Sequence, residues 1–285
     1  MHTATKMIFR ISLLLISLTC YVHSQNLTKP KDDVPVSLLA LNNVVIEDYH
    51  GPMDSKTLNL FENVETLAFQ GCNFTKFNEN FLHPLKKLRK LIIANSHFDR
   101  VKDDISICCK NLREIELIQS DIGGVTEDGM KKVGGMKTLE RLYFFRLDAP
   151  KLFAKSLEGS NLKTLEIEYS NLATIEDGAF DGMDKLEVLN LQKNKIDKFP
   201  TKNLASLKNL KELNLKGNLL TKVTTEDFPA LPNLEKVNLG HNPIKEIDLK
   251  GLKEKLPKLK QVDVSGIEID LSKNEGVPLI KQQVL

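Results

Sequence analysis

Along most of the chain, apolar residues return in one fixed frame. In Leu162-Lys-Thr-Leu165-Glu-Ile167-Glu-Tyr-Ser170-Asn-Leu172 they occupy positions 1, 4, 6 and 11. The frame starts again at Leu186, Leu210 and Leu234, each 24 residues after the last. Backwards it starts at Leu139, Leu112, Leu88, Val64 and, less cleanly, Val36, and forwards once more at Leu259. Ten copies spaced 23 to 28 residues apart are the mark of a repeat architecture.

Each position has a physical reading. Positions 4 and 6 alternate as in a strand with one buried face. Positions 1, 11, 14, 19 and 22 bring apolar side chains back to the same interior, as with Leu186, Ile196, Phe199, Leu204 and Leu207. Position 9 turns the chain out of the strand, and an Asn there can bond loop backbone in the next coil. It runs Val44, Cys72, Ser96, Ser120, Leu147, Ser170, Asn194, Asn218, Asn242 and Ile267. An apolar side chain gives about 1.5–3 kcal/mol when fully buried, which a copy realises only when neighbours stack on it. No copy should therefore fold alone. The segment GGVTEDGMKKVGGM, residues 123–136, predicts a loop with a short helical turn on the outer side.

The consensus LxxLxLxxNxL resembles the leucine-rich repeat, and the resemblance covers nearly the whole chain. It implies an α/β repeat fold, a curved horseshoe solenoid with a parallel concave sheet and an irregular or short-helical convex side. The expected organisation is a signal peptide at 1–24, a capping segment at 25–35, a solenoid of about ten repeats at 36–271, and a polar tail at 272–285. Exported members of this family often close their ends with cysteine-rich caps, and no cysteine cluster precedes Val36 or follows Leu259. The ends must then be covered by residues 25–35 and 270–285, or by another molecule. Insect leucine-rich immune proteins are similar as secreted repeat proteins that join partners through cysteine, but their C-terminal coiled coil has no counterpart here.

The N-terminus carries Lys6 and Arg10, the apolar run ISLLLISLTC and then Val22-His23-Ser24, the make-up of a secretory leader cut after Ser24. Its apolar run is too short for a membrane span, which takes roughly 20 residues. Without that leader, 40 − 2 = 38 basic residues face 38 acidic ones. A neutral chain lacks the electrostatic footprint of a nucleic-acid binder and of polybasic membrane contact. The expected protein is extracellular and not inserted in a membrane. Asn26 and Asn73 begin the sequons Asn-Leu-Thr and Asn-Phe-Thr, candidate glycosylation sites. The mature cysteines are Cys72, Cys108 and Cys109. Cys72 and Cys109 fall at inward positions; Cys108 reads either as the site of an intermolecular disulfide or as an inert thiol or strained partner of Cys109.

No catalytic constellation emerges. His50, His83, His97 and His241 are scattered through different copies without metal-ligand spacing, and no G-x-S-x-G, P-loop or dinucleotide fingerprint is present. Acids such as Glu166 and Glu168 sit on outward strand positions, where a charge is ordinarily solvated. No cofactor, metal or enzymatic activity is expected. Position 2 alternates Glu65, Arg89, Arg113, Glu140, Lys163, Glu187, Lys211, Glu235 and Lys260, a structural ladder of opposite charges.

One group stands apart. Ile92, Ile118, Tyr143, Phe145, Arg146 and Tyr169 fall on outward positions of four consecutive strands. With strands about 4.8 Å apart they span one patch. Central aromatic and Arg residues are what interface anchors are made of. The competing reading is a register shift: Leu147 and Ala149 replace the usual Asn and Leu, so the strand could slip and tuck Phe145 inward. The favoured function is a secreted, non-enzymatic protein that recognises another extracellular protein through its concave face, in host defence or in adhesion and signalling. The alternatives are a matrix component that assembles end to end through uncapped termini or a disulfide, and an inhibitor of a secreted enzyme.

Overall fold

The computed structural model describes residues 20–23, 42–53, 58–77, 81–98, 109–268, 270, 272, 274 and 276–280. One parallel sheet of twelve strands dominates them. Its strands in chain order are β1 (Cys20–His23), β2 (Asn43–Glu47), β3 (Thr66–Gln70), β4 (Lys90–Ala94), β5 (Glu114–Ile118), β6 (Arg141–Phe145), β7 (Thr164–Glu168), β8 (Val188–Asn190), β9 (Glu212–Asn214), β10 (Lys236–Asn238), β11 (Gln261–Asp263) and β12 (Leu279–Ile280). Spatial order follows chain order throughout, as a solenoid requires. The fold is a leucine-rich repeat solenoid.

Positions 4 and 6 point inward as the alternation predicts. Leu142 and Phe144, Leu165 and Ile167, and Leu189 and Leu191 are all buried in the core. The core is mainly aliphatic in the later copies, with Phe180 and a Phe199–Phe228 pair set into it, while Phe69, Phe74, Phe81 and Phe98 cluster in the earlier ones. On the convex side, the helix Glu127–Gly135 occupies the predicted 123–136 segment, capped by the Thr126 side chain, which accepts from the Gly129 N–H. Gly134 is required there: a Cβ would come within 2.7 Å of the Ser156 carbonyl oxygen of the next coil.

Two backbone devices repeat. Position 8 adopts the left-handed conformation in all ten copies, from Asp48 through Arg146 (φ 52°) and Tyr169 (φ 51°) to Gly266. This twist turns the chain out of the sheet, and the N–H of each position-8 residue from Asp48 to His241 then reaches the position-7 carbonyl of the following copy, as Arg146 does to Glu168 at 3.0 Å. Position 9 supplies the second device, with its direction opposite to expectation: it serves the preceding coil. Asn194 Oδ1 accepts from the backbone N–H of Ser170 at 2.9 Å and of Leu172 at 3.1 Å, while its Nδ2 donates to the Ile167 carbonyl at 2.6 Å. Ser96, Ser120 and Ser170 do a shorter version of the same work. Leu147 fills this slot without an acceptor and interrupts the ladder.

Both ends differ from the sequence reading. Asn43 pairs with Thr66, which makes Asn43 position 3 of the first copy. Its frame therefore begins five residues later than Val36; the inward pair is Val44 and Ile46, and position 9 is the buried Tyr49. At the other end the tail is not simply polar. Asn274 Oδ1 accepts from the Leu249 N–H at 2.6 Å, and β12 extends the sheet along β11. Residues 25–35 lie outside the described residues, and β1, in the stretch read as leader, pairs with β2.

Candidate functional site

The central strand β6 is in perfect alternation with its neighbours, which excludes the register shift. Arg141 pairs with Glu114 and Thr164, and Phe145 pairs with Ile118 and Glu168, without a bulge. Phe144 is the inward ring, Leu147 and Ala149 are buried, and Tyr143 and Phe145 remain half-buried on the concave face. The unusual residues at positions 9 and 11 are thus tolerated inside without moving the residues outside.

Three rings gather on that face. The Tyr143 and Phe145 centroids are 6.2 Å apart, and Phe145 and Tyr169 are 5.3 Å apart. Both separations fall in the range of favourable aromatic pairs. Tyr169 is 43% exposed, one of the few large apolar side chains in the open among the described residues. The Arg146 guanidinium lies 5.4 Å from the Phe145 centroid and 5.8 Å from that of Tyr169. Ile118 departs from expectation: it is only 4% exposed. It is nevertheless outside the interior core cluster, so it is buried on the concave side, as a floor next to Phe145. Ile92 does not join the group. Glu116 stands between it and Tyr143 in the position-5 row.

Sequence reasoning missed the charged half of this face. Arg141 donates from Nε to Glu166 Oε2 at 2.9 Å and reaches the same oxygen from Nη2 at 2.6 Å. Its Nη1 contacts Glu116, which also receives Lys90 Nζ at 2.7 Å. The same guanidinium sits 5.1 Å from the Tyr143 centroid. Burial opposes its charge, and the Glu166 and Glu116 carboxylates more than offset that, so Arg141 titrates above its usual value. Burial, followed by the Glu168 and Glu166 charges, pushes the Tyr143 hydroxyl up.

Glu168 corrects the expectation of a solvated acid. It is 9% exposed and accepts from Asn190 Nδ2 at 2.6 Å and Gln192 Nε2 at 2.8 Å. Burial raises its pKa above the ordinary range despite the Gln192 bond. Glu116, at 6% exposure, is the other acid that strand alternation alone could not show to be covered. The position-2 column is the expected ladder: Glu140 takes both Arg113 at 2.5 Å and Lys163 at 2.9 Å, and Lys211 pairs with Glu187 at 2.7 Å.

Of the remaining candidates, Asn73 is exposed on the flank, away from the concave strands, and its sequon lies in the extended segment Asn73–Phe77. Cys72 is a core thiol: Sγ faces the Ile46 and Gln70 carbonyls, and burial pushes its pKa up. Cys109 is buried at position 22. Cys108 and Asn26 lie outside the described residues. His50 and His97 bond Asp48 and Asp121 at the surface, and no described group of three or more His, Cys, Asp or Glu residues could hold a metal ion. No described helix is long and apolar enough to cross a membrane.

Comparison with known proteins agrees with this architecture. Residues 160–220 and 208–266 match the leucine rich repeat family. The chain is 25% identical to human Toll-like receptor 8 over 176 residues, which is 59% of this chain but 14% of that receptor. Among solved structures it is similar to one chain of the TLR13–ssRNA13 complex, with a TM-score of 0.65 and 17% identity over 92% of this chain and 46% of that one. A chain of the octameric complex of Latrophilin 3, Unc5D and the FLRT2 leucine-rich repeats gives a TM-score of 0.58 at 18% identity, covering 84% and 83%. The LRIM1/APL1C complex gives 0.54 at 17% identity, covering 92% and 56%.

Proposed function

We propose that this chain is an exported, non-enzymatic recognition protein that binds another extracellular protein through its concave face. Tyr143, Phe145, Arg146 and Tyr169 form the anchor, with Ile118 beneath them. The observation that carries this reading is the gathering of three rings and an arginine on the open side of a strand whose register is intact. Aromatic and Arg side chains in a central cluster dominate the energetics of protein interfaces. The names of two of the similar structures support the reading, since FLRT2 is there in a complex with other proteins and LRIM1 with APL1C, whereas TLR13 is there with single-stranded RNA.

Export rests on the leader at residues 1–24. Its removal would take β1 away and leave β2 as the N-terminal edge. A glycan on Asn73 would sit on the flank and leave the patch open; glycosidase treatment of secreted protein should then lower its mass. End-to-end assembly has less support, because β12 extends the sheet over its C-terminal end.

The test compares two variants with the parent in pull-downs from the native extracellular fluid. Tyr143→Ala with Phe145→Ala should abolish capture. Because the rings are half-buried, the double variant loses stability too, about half of the 3–5 kcal/mol of a fully buried ring for each. Tyr169→Gly is therefore the decisive partner variant. It removes an exposed ring at a left-handed position where Gly71, Gly217 and Gly266 stand in sister copies. Capture should fall while the unfolding midpoint holds. Full capture by both variants would overturn the proposal.

A further inference from the structure

Four arginines lie among the described residues, and three of them are spent on carboxylates across the sheet. Arg89 faces Glu65 at 3.6 Å, Arg113 faces Glu140 at 2.5 Å, and Arg141 is held by Glu116 and Glu166. Arg146 is the exception. Its guanidinium has no carboxylate partner among the described residues and lies instead over the Phe145 and Tyr169 rings, 5.4 and 5.8 Å from their centroids. Cation–π contact uses the charge and leaves the hydrogen-bonding donors unspent. A guanidinium carries five N–H donors arranged as the fork that matches a carboxylate.

We infer that the partner presents a carboxylate, an Asp or Glu side chain beside an apolar one, to the Arg146 fork above the Phe145–Tyr169 ring pair. This rests on the concave-face reading and specifies its chemistry. The apolar neighbour follows from the rings, which offer contact area next to the fork. The choice of a single carboxylate over a polyanion follows from the surrounding charge. Glu116, Glu166 and Glu168 occupy the same face on the two strands flanking that of Arg146, so a run of phosphates would be set against them, whereas one carboxylate engages Arg146 alone. Contact with two rings also restricts the guanidinium before binding, so less rotamer freedom is lost when the fork is filled.

The experiment uses a random peptide library displayed on phage, selected on the immobilised full chain at physiological salt. The wild type should enrich peptides carrying Asp or Glu within two residues of an aromatic or aliphatic side chain. A selected peptide should bind Arg146→Gln at least tenfold more weakly and Arg146→Lys at an intermediate level. Replacing its acid by the amide should have the same effect on the wild type as Arg146→Gln. Peptides that need Tyr143 and Phe145 but bind Arg146→Gln normally would sink this inference and leave the concave-face reading standing. A selection that yields no binder, or only binders indifferent to both, would sink both. An Arg146-dependent single-stranded oligonucleotide that binds more tightly than any selected peptide would replace the carboxylate by phosphate, and the inference would fail.

Discussion

Replacing Arg141 by Met tests whether the ion network beside Tyr143 holds the concave face together. The substitution keeps an unbranched stem against the Tyr143 ring, where the guanidinium now sits at 5.1 Å, and removes only the charge and its donors. Glu166 loses its contacts at 2.6 and 2.9 Å, and Glu116 keeps only Lys90 at 2.7 Å. Breaking a buried pair by removing one member costs about 3–5 kcal/mol. The Arg141 side chain is 30% exposed and Lys90 remains in place, so solvent screening and the surviving pair bring this to about 2–3 kcal/mol. For a domain of this size that is a fall of about 5–10 °C in the unfolding midpoint. Urea unfolding followed by circular dichroism at pH 7.5 provides the check. Arg141→Lys, which keeps the charge without the planar fork, should fall between wild type and Arg141→Met. A gap below 1 kcal/mol between those two, or an Arg141→Lys variant no more stable than Arg141→Met, would refute the reasoning.

Two further outcomes follow from single side chains. Ser160 Oγ is buried with no hydrogen-bond partner, at a position that sister copies fill with Met183 or Leu207, so Ser160→Ala should stabilise the chain by about 1–2 kcal/mol in the same urea titration. Glu168 has its folded-state pKa raised by burial, so its contribution to stability is present below the unfolded value, about 4.3, and is lost as pH rises through the folded value. Glu168→Gln cannot ionise; measured from pH 4 to pH 7, the stability difference should therefore move steadily in the variant's favour, and a constant difference would show that the carboxylate is not desolvated.

The copies from Leu186 to Leu234 were readable because nearly every buried slot holds its commonest occupant. Leu fills the inward strand positions except at Val237, and Asn194, Asn218 and Asn242 mark the turn. The first copy misled for a physical reason. Val36, Leu39 and Leu41 offer the same apolar spacing as the true inward pair Val44 and Ile46, and Tyr49 replaces the amide that would have marked the exit. Alternation also told which side Tyr143 and Phe145 face. It could not tell how deeply an outward residue is covered, because that depends on the strand alongside. Ile118 lies under cover beside Phe145, and Glu168 is closed in by Asn190 and Gln192, both from the next rung. The Arg141 network joins residues about 25 positions apart, a pairing that becomes visible only once the rungs are stacked.

The left-handed row at position 8 separates packing from display. A non-Gly residue in this conformation costs of order 1–3 kcal/mol, so each one calls for a local reason. For three of the seven non-glycine residues in the row the reason is the next rung. Asp48 leans over Gly71, Lys193 over Gly217 and His241 over Gly266, each side chain so close that a Cβ on the glycine would come within 2.5 to 2.6 Å of it. These long residues lie flat in the space that a missing side chain leaves. From Asn95 to Tyr169 the rule fails: four consecutive position-8 residues are each followed by a side chain and not by glycine. Among them, Arg146 is the one whose guanidinium lies over two rings, Phe145 and Tyr169. Glycine at residue 169 would relieve the backbone there and leave a gap like the one Lys193 occupies over Gly217. The chain instead keeps a tyrosine at that position, at a cost in backbone strain, beside an arginine that no described carboxylate engages.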